Sequence, residues 1–259
     1  GPLLRLHRRP GQQLRRRLRM MLTGEVTGMA SARPFALSII IPALNEAARI
    51  ERTLNCLQAM RRRGSQVILV DGNSTDGTAA VAAPLVDCVV TATPGRASQM
   101  RAGLSAARHA AIWFLHADTG VPADGDRHII SALQNDHHKW GRFDVSFSDG
   151  GLGMRLVAAG MNLRSRLTAI STGDQGIFVR RELFKQVNGF PDIPLMEDIA
   201  LCKRLRRLAR PQCIHTPRLQ TSSRRWESGG VGRTILLMWG LRLAYALGAP
   251  PERLARHYR

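Results

Sequence analysis

Acidic residues and one histidine stand directly after short apolar runs in this chain. Glu46 follows Leu37-Ser-Ile-Ile-Ile41-Pro42, Asp71 and Asp76 follow Val67-Ile-Leu-Val70, and His116 and Asp118 follow Ala111-Ile-Trp-Phe-Leu115. Further on come Asp174, in Thr172-Gly-Asp-Gln175, and the pair Glu197-Asp198. Carboxylates accept hydrogen bonds from base N–H groups and ribose hydroxyls, hold divalent cations, and take protons.

The runs between these residues show what would bring them together. Leu37–Ile41, Val67–Val70, Val86–Thr91 and Ala111–Leu115 are short, β-branched and apolar, and are predicted as buried strands. Ala47, Ile50, Leu54 and Leu57 repeat at helical spacing after Asn45, a predicted N-cap, and stop at Gly64. Thr78–Ala83 and Ala97–Ala107 are further predicted helices. Strands alternating with helices imply a parallel sheet covered on both faces, joined by right-handed crossovers. In such a sheet, ligands bind beyond the carboxyl ends of the strands. Glu46, Asp71, Asp76, His116 and Asp118 then share one edge, which is costly unless a cation or ligand donor compensates. The implied site is one for a metal and a nucleotide. Asp76 also suits the cap of the helix after Gly77. Arg96, in Pro94-Gly-Arg-Ala97, places a guanidinium at a helix start and reads as a nucleotide-contacting loop, a solvated basic turn being the alternative.

Downstream, Arg142–Phe147 alternates like a strand, and Arg155–Thr168, Glu182–Val187 and residues 197–209 are predicted helices, the last with Leu201, Leu205 and Leu208 inward. Gln212–Ile214 is predicted as a final strand, and residues 231–247 as an apolar helix broken by Pro250-Pro251.

Three strings in order, Ser38-Ile-Ile-Ile-Pro42-Ala-Leu-Asn45-Glu46, Val70-Asp71-Gly-Asn73-Ser74-Thr-Asp76-Gly-Thr78 and Phe114-Leu-His116-Ala-Asp118, resemble glycosyltransferase family 2. Gly173-Asp174-Gln-Gly176 and Met196-Glu-Asp198 resemble its acceptor-side motifs. The resemblance implies a GT-A fold, an α/β architecture with a Rossmann-like, mostly parallel central sheet and helices on both faces. It also implies metal-dependent, inverting transfer of a sugar from a nucleoside diphosphate sugar, a UDP-sugar above all, to a hydroxyl acceptor. Under it Asp198 is the catalytic base. Pro42, Asn45, Glu46, Asp71, Asn73, Ser74, Arg96, Asp118, Asp174 and Arg225 contact the donor. His116 and Asp118 occupy the place of the family's D-x-D motif and, with His215, would hold Mn2+ or Mg2+. The histidine departs from that motif and puts the identity of the metal in question, imidazole suiting Mn2+ better than Mg2+. A hydrogen-bonded loop histidine is the alternative for His116, and a lone histidine such as His215 is more often structural. Arg224-Arg225-Trp226 resembles the R-W of processive members but lacks their glutamine, which implies an arginine-bearing active-site loop without processivity.

Composition sets the remaining bounds. The chain has 259 residues, 44% apolar and 22% charged, which excludes a disordered or fibrous class. Thirty-eight basic residues, of which Lys139, Lys185 and Lys203 are the only lysines, face 19 acidic ones for a net charge of +19. That balance favours acidic partners: nucleotide phosphates, anionic lipid or nucleic acid. Aromatic residues are only 5% and no nucleic-acid-binding module is visible, so a specific nucleic-acid partner is not expected. A nucleotidyltransferase would want a Gly-rich phosphate loop where Pro42-Ala-Leu-Asn-Glu46 stands. Residues 1–33 hold eight arginines and one glutamate and read as a basic disordered arm, or as a leader ahead of a start near Met20, Met21 or Met29. Residues 34–227 are expected to form the glycosyltransferase domain and 228–259 a C-terminal apolar and basic helical segment. That segment either packs on the core, builds a homodimer contact, or lies on an anionic membrane surface. Four cysteines without a paired spacing and no spanning segment suggest a cytoplasmic protein, peripheral at the inner face of the membrane if the surface reading holds.

Overall fold

The structure, a computed structural model, describes residues 36–134, 137–148, 151–223 and 230–258. The expectations for residues 1–33 lie outside the described residues. Seven strands form one sheet: β1 (Leu37–Ala43), β2 (Gln66–Asp71), β3 (Cys88–Thr91), β4 (Ala111–Phe114), β5 (Trp140–Phe147), β6 (Phe178–Arg180) and β7 (Gln212–Thr221), in the order β3-β2-β1-β4-β6-β5-β7. β1 pairs in parallel with β2 and β4, Ile39 facing Val67 on one side and Trp113 on the other. Only β6 runs against its neighbours, opposing β4 through Ile112–Val179 and β5 through Gly141–Phe178. This is the mostly parallel α/β sheet that the alternating runs imply.

Alternate residues of each strand enter opposite layers, as the pleat requires. Ile39, Ile41, Leu69 and Trp113 pack beneath helix α1 (Ala47–Arg62), which contributes Ile50, Leu54, Leu57 and Met60. Ile40, Ile68, Val70 and Phe114 pack on the other face, with Met100 of α3 (Arg96–Ala106) and Leu201 and Leu205 of α7 (Glu197–Leu205). Each such side chain, fully buried, contributes about 1.5–3 kcal/mol. Close approach of α3 to the sheet needs Gly103, where a Cβ would fall 2.5 Å from Ile40 Cγ2 and 2.8 Å from Val70 Cγ2. The other helices are α2 (Thr78–Ala82), α4 (Gly125–Gln134), α5 (Leu152–Thr168), α6 (Arg181–Gln186), α8 (Val231–Ala246) and α9 (Pro251–Tyr258).

Several expectations are corrected. Asn45 does not cap α1; Glu46 holds that position without a side-chain cap, and Asp76 Oδ2 accepts the Ala47 N–H from the neighbouring loop at 2.9 Å. Leu208 lies past the end of α7 and is half exposed. β7 does not stop at Ile214: residues His215–Arg218 form an irregularity around Pro217, which cannot donate to the ladder, and pairing with β5 resumes at Leu219–Val145. Pro251 opens α9 rather than only ending α8, because proline's missing N–H costs nothing in a first turn.

The C-terminal pair packs on the core. Leu241 of α8 and Leu254 of α9 join Leu195, Met196 and Ile199 in one apolar cluster. Among the described residues no helix is long and apolar enough to cross a membrane.

Candidate active site

The chain runs from β1 outward to β2 and β3, then returns to β4 on the other side of β1. Beyond that switch point the strand ends open a crevice. A cleft of about 800 Å³ lies there, lined by Pro42, Glu46, Arg96, His116, Asp118, Asp174, Glu197 and Asp198. Thr234, Met238 and Arg242 of α8 and Tyr258 of α9 close its far wall.

On the donor side, two loops are stitched together. Asn45 Oδ1 accepts the Thr75 N–H, Ser74 Oγ accepts the Asn45 N–H, and Thr78 Oγ1 accepts the Glu46 N–H, at 2.8–2.9 Å. Asn45 and Ser74 therefore hold the loop geometry, and neither lines the cleft. Asn45 and Asn73 sit at φ +54° and +63°, a left-handed conformation that asparagine tolerates better than most residues. Asp71 is buried beside Ala43, in register. Its Oδ2 accepts the Ser74 N–H at 3.0 Å, while Oδ1 is buried without a hydrogen-bond partner. An acceptor left this way is destabilising by about 1–3 kcal/mol until a donor reaches it. Gln99, not singled out in the sequence, closes the strand ends by donating to the Ala43 and Val70 carbonyls, both at 2.8 Å.

Asp118 reaches the cleft, but the expected three-member metal set is not assembled. His116 Nδ1 meets Asp174 Oδ1 at 3.0 Å, and its buried Nε2 abuts Gly173, where a Cβ would stand only 2.3 Å away. The ring thus ties the end of β4 to the Gly173-Asp174 turn through Nδ1. His215 lies outside the cleft, its Nδ1 3.2 Å from Asp144 Oδ2. Among the described residues no three His, Cys, Asp or Glu side chains gather as a metal cage. The donor set fits a cation held by a single carboxylate, Asp118, with the remaining coordination left to diphosphate oxygens and water, as hard divalent ions accept.

On the acceptor side, Glu197 and Asp198 open α7 straight after Met196, a buried residue at φ +68°. Such a backbone costs about 1–3 kcal/mol and persists only where packing over-determines it. Here the apolar cluster with Leu241 and Leu254 supplies that packing. Asp198 Oδ2 accepts the Gly173 N–H at 2.9 Å. Burial pushes its carboxyl above the ordinary range, against the pull of Arg96 and the N–H bonds from Gly173 and Ile199, with the Asp174 charge adding to the rise. Glu197 is raised too, by burial and then by the Asp198 charge, with Arg96 opposing. Arg96 Nη1 stands 3.5 Å from Glu197 Oε1. Arg164 of α5 is largely buried, and its Nε and Nη2 lack hydrogen-bond partners. Arg225 lies outside the described residues.

The sequence model of the family described as "Glycosyl transferase family 2" matches residues 38–187. The chain belongs to glycosyl transferase family 2. A protein named an uncharacterized glycosyltransferase in Mycobacterium tuberculosis H37Rv is 35% identical over 99 residues, 38% of this chain and 44% of that protein. The chain therefore spans less than half of that relative's length. The fold is shared with the Pyrobaculum calidifontis mannosyltransferase solved with GDP-Man and Mn2+, at a TM-score of 0.56 and 23% identity over 80% of this chain and 62% of that one. It is also shared with the M. tuberculosis glucosyl-3-phosphoglycerate synthase solved with Mn2+, UDP and glucosyl-3-phosphoglycerate, at 0.59 and 19% over 83% and 81%. These likenesses make the sheet a GT-A sheet. Asp198 and the α8–α9 wall lie beyond the matched segment of this family 2 chain. In the sequence Glu197 stood out only as part of the Met196-Glu-Asp198 string, and the cleft role of Thr234, Met238 and Tyr258 carried no signal, since one helix face touching a distant loop leaves no local pattern.

Proposed function

We propose that this protein is an inverting glycosyltransferase that moves a sugar from a nucleoside diphosphate sugar, a UDP-sugar, to a hydroxyl acceptor, with Asp198 as the base. The observation that supports this is a partly buried carboxylate with a raised proton affinity, lining the cleft that Asp118 also lines. A base whose pKa moves toward the working pH transfers a proton more effectively than one at its ordinary value. Asp198 takes the proton of the acceptor hydroxyl as that oxygen bonds to the anomeric carbon. The bond to the leaving diphosphate breaks on the opposite face, which inverts the centre. Asp71 Oδ1 accepts from the base or ribose of the donor, and Arg96 offsets diphosphate charge. Asp118 would hold a divalent cation, Mn2+ or Mg2+, whose chemistry is charge neutralisation of the leaving diphosphate. His116 and Asp174 brace the turn whose N–H orients Asp198.

The test uses purified protein with Mn2+ and UDP-, GDP- and dTDP-sugars. Release of nucleoside diphosphate, lost in Asp198→Asn, is the expected result. Release of pyrophosphate would assign nucleotidyl transfer instead, and no turnover with any donor would overturn the reading.

A further inference from the structure

A second cavity lies away from the cleft, between α5 and the β5–β7 edge. It measures about 660 Å³, and Arg155 and Arg166 of α5 and Arg218 of β7 are among its lining residues, with Ser146 and Ser148 and, among the described residues, no carboxylate. Asp144 beneath it offsets part of the Arg166 charge, while Arg155 and Arg218 are exposed.

Helix α5 carries a further feature. Leu152, Leu156, Leu163 and Leu167 are each more than half exposed. At 100° per residue they fall within one narrow stripe, roughly opposite the face that buries Met154, Ala158, Asn162 and Ser165. Single exposed leucines are ordinary, but four in a stripe on one helix are not. Arg155 and Arg166 project from the flank between the stripe and the core, on the cavity side.

We propose that this face of α5 docks on an anionic lipid bilayer, the leucines entering the acyl boundary and the arginine cavity receiving lipid phosphates. An interfacial helix has this composition: apolar side chains on one face and arginines at headgroup level beside it. Charge decides against a second copy as the occupant. A two-fold contact through the stripe would bring Arg155 and Arg166 towards their own counterparts, whereas an anionic surface neutralises them. The proposal is independent of the transfer chemistry.

The test is flotation of the full chain with vesicles of phosphatidylglycerol and phosphatidylcholine, against phosphatidylcholine alone, at low and high salt. The wild type is expected to float with the anionic vesicles only, and less at high salt. Leu156→Glu/Leu163→Glu and Arg155→Glu/Arg218→Glu should each weaken that partition at least about tenfold, while donor turnover without vesicles stays unchanged. Wild-type protein that stays in the soluble fraction, or variants that float as it does, would overturn the proposal. A leucine variant that lowers the oligomeric state in ultracentrifugation without changing flotation would overturn it too, assigning the stripe to a second copy.

Discussion

Carboxylates at two places in this fold, one on the sheet and two at the start of α7, are treated in opposite ways. Asp144, on β5, is fully buried and accepts hydrogen bonds from Arg142, Arg166 and His215. Burial alone would raise its proton affinity, but those three partners together pull it below the ordinary carboxylate range. Glu197, buried, and Asp198, partly buried, stand beside each other near one partly exposed arginine, and both are shifted up. The first group is satisfied and so serves folding. In the second, among the described residues, Asp198 accepts only the Gly173 and Ile199 N–H groups and Glu197 Oε1 has no hydrogen-bond partner; under the proposed function this leaves Asp198 as a proton acceptor. Stability and reactivity here are separated by who surrounds the carboxylate.

The sharpest way to break this comparison is Asp198→Asn. Its volume is unchanged, donor binding by calorimetry should stay near normal, and turnover should fall about 10²–10⁴-fold. Near-normal transfer would remove Asp198 from the chemistry and dissolve the contrast. Next in size is Asp144→Asn. Removing one partner of a buried ion pair costs about 3–5 kcal/mol. In a domain of this size that lowers Tm by roughly 6–20 °C, measured by calorimetry, with activity per folded molecule retained at low temperature.

The pH dependence sharpens the comparison further. A carboxylate whose folded pKa is raised contributes stability below its unfolded pKa, and that contribution is lost as pH rises through the folded one. Asp144, shifted down, behaves oppositely and loses its contribution as pH falls through its folded pKa. Glu197→Gln should therefore raise Tm at neutral pH by a few degrees, about 1 kcal/mol, and change nothing at acid pH. A lower Tm at neutral pH would show that Glu197 is satisfied after all. The smallest effect is expected from His116→Ala: the ratio of Mn2+- to Mg2+-supported activity should stay within about twofold, since the ring braces Asp174 instead of holding the ion. A shift of that ratio by tenfold would return His116 to the metal.

The donor half of the molecule was largely legible in the sequence. Continuous apolar runs such as Leu37–Ile41 and Ala111–Leu115 specify buried parallel strands, and the polar residues after them fall at the switch point by topology alone. What was not legible depends on long-range contacts. Asp144 reads as one more polar residue in an alternating strand until Arg166, 22 positions away, and His215, 71 positions away, meet it. His116 reads as a ligand by its place in a motif, and only the approach of the Gly173-Asp174 turn shows that its Nδ1 meets Asp174. β6 is three residues long and opposes its neighbours, too short to show any period.

The stitching between the β1–α1 and β2–α2 loops carries a kinetic consequence. Asn45, Ser74, Asp76 and Thr78 hold that rim together through bonds that exist before any ligand arrives. Under the proposed function, a nucleotide arriving at the cleft beside it would need no ordering of these loops, so the entropy cost of that half of the encounter is small. Association there should approach the rate of an ordinary rigid-body collision, and chain-opening events in the rim should be rare enough to leave the Ala47 and Thr75 amides slow to exchange with deuterium even in the free protein.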